Sequence, residues 1–213
     1  MKKFVCRVCI FSAIALCFVS CGKSASESDI RLYANANEMY ANEKFSDAAA
    51  ILSGVNKFPP ALTLRAKAEY FTGNLDLAEK SCRKAIKYRP AACEAKLYLA
   101  KILWEKGEEA KAKKVTEELM ADNPHDVRLL RFAAIMALEK GDAVAASGLL
   151  DRAAEMSADN AVVLLDRARL RWISGNGPDA LKDLDRARAM LPWDTPLARS
   201  IDHLEKRITE TLQ

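Results

Sequence analysis

The side chains able to do chemistry are few and scattered. Beyond its first 25 residues the chain carries two thiols, Cys82 and Cys93, and two imidazoles, His125 and His203. A nucleophile needs a base within hydrogen-bond reach, and a zinc site needs clustered Cys or His ligands. No Cys/His set here has metal-ligand spacing, and the two His fall in different predicted elements. His125 directly follows Pro124 at a predicted helix start, where a capping or surface role accounts for it. Gly175-Asn176-Gly177 lacks the pattern of a phosphate-cradling loop and reads as a turn between helices. Glu108-Glu109 and Glu117-Glu118 are acidic pairs typical of solvated helix faces. This inventory predicts no enzyme, no metal and no organic cofactor. Cys82 lies about two turns before one predicted interhelical turn and Cys93 less than one turn after it. That offset is awkward for the Cα separation of a disulfide, so two small, buried, reduced side chains are expected.

The first residues have a separate logic. Lys2, Lys3 and Arg7 precede an apolar run from Val8 to Val19, interrupted only by Ser12. A basic segment followed by a short apolar one is the layout of an export signal, and the run is shorter than the roughly 20 residues a membrane-spanning helix needs. Phe18-Val19-Ser20-Cys21-Gly22 resembles a bacterial lipobox, with Phe18 where Leu is usual. That resemblance implies cleavage before Cys21, diacylation of its sulfur and firm membrane attachment through the acyl chains. Cleavage near Ala25 or Ser26 by an ordinary signal peptidase, and retention of the apolar run as a short anchor, are the alternatives. Residues 21–28 then form a Gly- and Ser-containing tether. Gly22 is not the Asp that commonly retains lipoproteins at the inner membrane, so the periplasmic face of the outer membrane is the expected location.

The formal charge of +4 rests largely on the three basic residues of that leader. The remainder is near neutral, which provides no electrostatic footprint for nucleic acid.

The body is dominated by one period. Gly73, Gly107, Gly141 and Gly175 are spaced 34 residues apart, and Ala78, Ala112, Ala146 and Ala180 keep the same step. Ala85, Leu119, Ala153 and Ala187 form a third column. Pro90, Pro124 and Pro192 form a fourth, with Ala158 standing in for the missing Pro. A looser copy runs through Glu43, Ala48, Val55 and Pro60, about four residues short of the full step. Within each copy, apolar residues recur at helical spacing: Ala95, Leu99, Ile102 and Leu103 share a face that Lys101, Glu105 and Lys106 avoid. Gly can end one helix in the left-handed conformation, a small Ala lets two helices approach, and Pro stops or starts a helix. Asn74 and Asp142 are candidate N-caps, and Pro178 suits a first helical turn.

Period and columns together resemble the tetratricopeptide repeat: Gly at the turn, Ala five residues on, Ala seven further and Pro five after that. The resemblance covers residues 29–194, in copies at about 29–60, 61–92, 93–126, 127–160 and 161–194. It implies an all-α, right-handed superhelical solenoid of about five helical hairpins. Residues 195–213, with Leu197, Ile201, Leu204, Ile208 and Leu212 at helical spacing, form a capping helix for the last apolar face.

In this family the first helix of each repeat lines a concave groove. The resemblance therefore implies a groove-facing aromatic column of Tyr40, Tyr70, Trp104 and Trp172, interrupted by Leu138. Beside it runs a column of Asn37, Lys67, Lys101, Ile135 and Arg169. Tyr33 and Arg131 come from a third column, and Phe71, Arg128 and Ile173 from the remaining ones. Packing between hairpins is the competing role for the aromatics. Glu94 and Asp166 occupy places where a carboxylate-clamp pattern would need bases, so that clamp is not expected. Such a groove suits a protein segment, extended or helical, with apolar side chains and carboxylates. The expected function is a membrane-anchored scaffold or assembly factor of the cell envelope. A ligand-binding component of a periplasmic solute transporter and an accessory subunit of a cell-wall enzyme are the alternatives.

Overall fold

The computed structural model describes residues 26–212. The expected signal segment, Cys21 and most of the tether lie outside the described residues. Within them are eleven α-helices and no strand. They form five hairpins and a final single helix: α1 (Glu27–Ala41) with α2 (Phe45–Ile51), α3 (Pro59–Phe71) with α4 (Leu75–Tyr88), α5 (Cys93–Glu105) with α6 (Glu109–Asp122), α7 (Val127–Glu139) with α8 (Ala143–Met156), α9 (Ala161–Ile173) with α10 (Gly177–Ala189), then α11 (Pro196–Leu212). This is an all-α helical-repeat solenoid. Among the described residues no helix is long and apolar enough to cross a membrane.

Each hairpin turns the same way because the same backbone bonds close it. Gly73, Gly107, Gly141 and Gly175 all have φ between +75° and +83°. At each, the Gly amide and the following amide reach back to two carbonyls of the last helical turn. Gly107 N donates to Trp104 O at 2.9 Å, and Glu108 N donates to Leu103 O at 2.8 Å. These are the paired bonds of a Schellman motif. The first hairpin keeps the bonds without the Gly. Glu43 N donates to Tyr40 O and Lys44 N to Met39 O, with Glu43 held at φ 59°. The short first step also has a place: α2 has 7 residues against 14 in α4.

Helix starts are capped unevenly. Asp142 accepts from Ala145 N, as expected, and Asn160 and Asn176 cap α9 and α10 in the same way. Asn74 departs from expectation: it occupies the N-cap position, but its amide group donates to Thr72 Oγ1 instead of capping α4.

The core follows the small columns. Ala48, Ala78, Ala112, Ala146 and Ala180 are all fully buried where the two helices of each hairpin meet. At the carboxyl end Ile201, Leu204 and Ile208 of α11 pack on Ala180, Leu184 and Ala187. That covers the last hairpin. Leu212, expected in the same apolar stripe, is half-exposed and touches the hairpin only near Gly177.

Glu43 and Gly107 make a paired test of the turn. A left-handed residue with a Cβ costs about 1–2 kcal/mol, so Glu43→Gly should stabilise the fold and Gly107→Ala destabilise it by about 1 kcal/mol each. Urea melts followed by far-UV circular dichroism should show opposite shifts in midpoint. Unchanged midpoints in both would remove the turn from the determinants of the fold.

Candidate protein-binding groove

The first helices α1, α3, α5 and α7 present a row of polar and aromatic side chains that follows from their shared register. Two cavities open along it. One of about 390 Å³ is bordered by Tyr33, Asn37, Lys67, Glu94 and Arg128. The next, of about 160 Å³, is bordered by Glu94, Tyr98, Lys101, Arg128, Arg131 and Ile135. Glu94 and Arg128 border both, so the two are parts of one groove.

Its cations are not equivalent. Lys67 Nζ donates to Glu94 at 2.8 Å and lies 4.9 Å from the centre of the Tyr40 ring. Arg128 is bonded to Asp126 at 2.7 Å. Arg131 donates through two nitrogens to Asp166 at 2.8 and 2.6 Å. Arg169 sits 3.8 Å from the same Asp166. Lys101 differs: its Nζ lies 5.0 Å from the Tyr98 ring centre, and no carboxylate of the described residues is within ion-pair distance. Burial first, and then Arg131 and Arg128, hold its ammonium below the ordinary lysine range. Lys101 is thus a poorly compensated cation beside a small cavity, flanked by Tyr98 and by the exposed Ile135.

The aromatic column is engaged differently from the basic one. Each member contacts the residue one step further on in the next first helix. Tyr40 packs on Phe71 at 6.0 Å between ring centres. Tyr70 donates its hydroxyl to Glu105, and Trp104 donates its indole N–H to Glu139 at 2.5 Å. Trp172 carries the Arg207 guanidinium over its ring at 4.7 Å. These contacts form a ladder between repeats, continued onto α11. Burial and then the hydrogen bond to Glu105 push the Tyr70 phenol upward, so it stays a donor. Phe71 stacks on Phe45 at 4.8 Å and remains half-exposed. Trp104 borders neither groove cavity; it lines a separate cleft among α6, α7 and α8. Ile173 is exposed beyond the ladder.

One groove residue, Tyr98, lies outside the sequence-based columns, whereas Glu94 shares the column of Arg128. Tyr98 carries Lys101 and, at 5.7 Å, Lys67 over its ring. Glu94 anchors Lys67. Tyr98 stands one position after Leu97, an expected inward residue, and only its aromatic type marked it out. Burial raises both thiols above the ordinary range. Cys82 is buried, and burial followed by Glu69 pushes its thiol up to about 12. Cys93 is only partly buried, unlike the expectation, and both are free. Among the described residues no group of Cys, His, Asp and Glu could hold a metal ion.

With this geometry in hand, the comparisons with known proteins are specific about fold. Residues 72–135 match the tetratricopeptide repeat family. No curated protein shows significant similarity to the chain. Among solved structures, a thermophilic TPR protein of Thermus thermophilus superposes with a TM-score of 0.72 at 18% identity, over 87% of this chain and 99% of that one. The PilF protein of Pseudomonas aeruginosa gives 0.69 at 16% identity, over 87% and 85%. A tetratricopeptide repeat protein of Parabacteroides merdae gives 0.61 at 17% identity, over 88% and 76%. The fold is that of a tetratricopeptide-repeat solenoid.

Lys101 yields a test of the groove's electrostatics. A lysine depressed in the fold binds its proton less readily than in the unfolded chain. Its charge therefore opposes folding at neutral pH, and this penalty fades as pH rises through the depressed value toward the ordinary one. Lys101→Met should raise the melting temperature at neutral pH, and the gain should shrink above the ordinary lysine range. A loss of stability at neutral pH would show that Lys101 is compensated in the native state.

Proposed function

We propose that the chain is a non-enzymatic, membrane-tethered scaffold that holds a protein partner of the cell envelope in its concave groove. The observation that carries this reading is Lys101. A partly buried ammonium beside an open cavity, with apolar Tyr98 and Ile135 next to it, favours a segment bearing a carboxylate and an apolar side chain. An extended or helical segment meets that requirement, and Arg128 and Arg131, held by Asp126 and Asp166, border the same cavity. A charge-assisted bond at such a site contributes more than one at an open surface. The proposed partner contact runs along α1, α3, α5 and α7, where the two groove cavities open.

The tether is supported by the lipobox-like residues 18–22, with Cys21 as the acylated residue, and the envelope location follows from it. The periplasmic face of the outer membrane is the proposed site.

Affinity capture with the whole chain from detergent-solubilised envelopes tests the groove. A partner retained by the native chain should be lost with Lys101→Ala/Arg128→Ala, and kept with Glu117→Ala, an exposed change on α6. A partner that binds all three equally would place binding outside the groove and overturn the proposal. The tether has its own measurement. Metabolically supplied palmitate should label the chain and fail to label Cys21→Ser. Equal labelling of both would dismiss Cys21 as the anchor.

A further inference from the structure

A second opening lies away from the groove, among α6, α7 and α8, with a volume of about 620 Å³. Small-molecule sites run from about 300 to 1,000 Å³, so this cleft has the size of a ligand site. Its walls are Met120, Met136, Ala133, Ala137 and Leu149, with the Trp104 indole at one side.

The repeat explains why the cleft is here. Arg65, Leu99, Ala133 and Arg167 are the same repeat position in successive first helices, and so are Glu69, Leu103, Ala137 and Arg171. In the other three copies long side chains at these positions reach the preceding hairpin, with the exception of Glu69, which is bonded within its own hairpin. Arg65 reaches back to Ser53 O at 3.0 Å. Leu99 and Leu103 are buried in the core. Arg167 and Arg171 reach back to Asp151 at 3.1 and 3.7 Å. Only α7 has alanine at both positions. The preceding second helix, α6, is left facing two methyl groups where its counterparts face long side chains.

The wall chemistry sets the ligand class. The one wall hydroxyl, on Thr116, already donates to Ala112 O at 2.9 Å. Of the charges at the mouth, Lys140 pairs with Glu109 and Lys113 with Glu117, while Asp142 accepts from Ala145 N as the cap of α8. No inner group is left to orient a polar molecule, and both cations at the mouth are already paired. Methionine side chains adapt to the shape of a flexible apolar guest.

We infer that this cleft binds a free, single-chain acyl ligand of the fatty-acid class, its chain against Met120, Met136 and the two alanines, its polar end at the mouth. The site is independent of the groove, so either can fail without the other.

Trp104 is the native reporter. In the whole chain carrying Trp172→Phe and Trp193→Phe, ω-bromododecanoic acid should quench Trp104 emission saturably, and dodecanoic acid should reverse it. Ala133→Leu/Ala137→Leu restores the side chains that α5 carries and should weaken this by roughly tenfold or more, while the melting temperature holds or rises. The single change Ala137→Leu is the second reading, should the double variant fail to fold. No saturable quenching, or quenching unchanged in both filled variants, overturns the proposal. Loss of a captured protein partner from the filled variants without any quenching would make the cleft a protein-docking site and equally overturn it.

Discussion

The closest approach of the two helices within each hairpin governs the structure. At that crossing stand Ala48, Ala78, Ala112, Ala146 and Ala180, every one fully buried. A larger side chain there would push the helices apart and open the interface along their length, because interiors are packed too tightly to absorb extra methylenes locally. The left-handed turn five residues earlier aims the second helix at this contact. Turn and alanine thus act as one device. The device repeats with a fixed period because each hairpin presents the next with the same unfilled apolar face.

Between hairpins the constraint is weaker, and the chain solves it several ways. Repeats 2 and 5 send arginines back to the preceding hairpin, Arg65 to Ser53 O and Arg167 to Asp151, and anchor those arginines by ionic locks within their own hairpins. Glu69 accepts from Arg65 at 2.7 Å and from Ser81 at 2.6 Å. Asp183, three repeat steps beyond Ser81, accepts from Arg167 at 2.6 Å and Arg171 at 2.8 Å. The carboxylate has moved from the first helix to the second, and the arginines surround it from the other side. Leaving one partner of such a buried pair alone is strongly destabilising, whereas an apolar pair of the right volume serves as well. Repeat 3 uses that apolar solution with Leu99 and Leu103. Repeat 4 uses neither, and there the solenoid has its cleft.

What was legible in the sequence divides along the same line. Features produced within one hairpin were readable: the turn glycines, the buried alanines, the apolar helix faces and the final helix. Each depends on local geometry that a single residue type satisfies at a fixed spacing. Features produced between hairpins were not. Trp104 is aromatic in an expected inward column, yet its indole donates to Glu139 and its ring borders the cleft. Nothing in residue type separates an aromatic that bridges repeats from one that meets a ligand, since both must be large and partly exposed. Tyr98 was missed for the converse reason: it lies outside the inward columns, with Lys101 one turn on along α5 and Lys67 brought over its ring from the preceding hairpin. Asn74 shows the local limit, because a cap depends on a rotamer as well as a residue type.

The groove and the ladder run side by side on the same helices, and their energetics are opposed. Two ladder residues satisfy their polar atoms within the chain, Tyr70 on Glu105 and Trp104 on Glu139, while Trp172 holds the Arg207 guanidinium over its ring. Most groove cations do likewise, through Glu94, Asp126 and Asp166. A fully satisfied surface has little to gain from a partner, because any new bond replaces one already made. Lys101 breaks that pattern. Its ammonium is disfavoured by burial and by its own neighbours, so the solenoid holds a position at which a partner's carboxylate adds stabilisation and displaces nothing. A scaffold built from repeats can tolerate such a residue, because each hairpin draws its stability from its own crossing and its immediate neighbours, and a local penalty is not transmitted along the array.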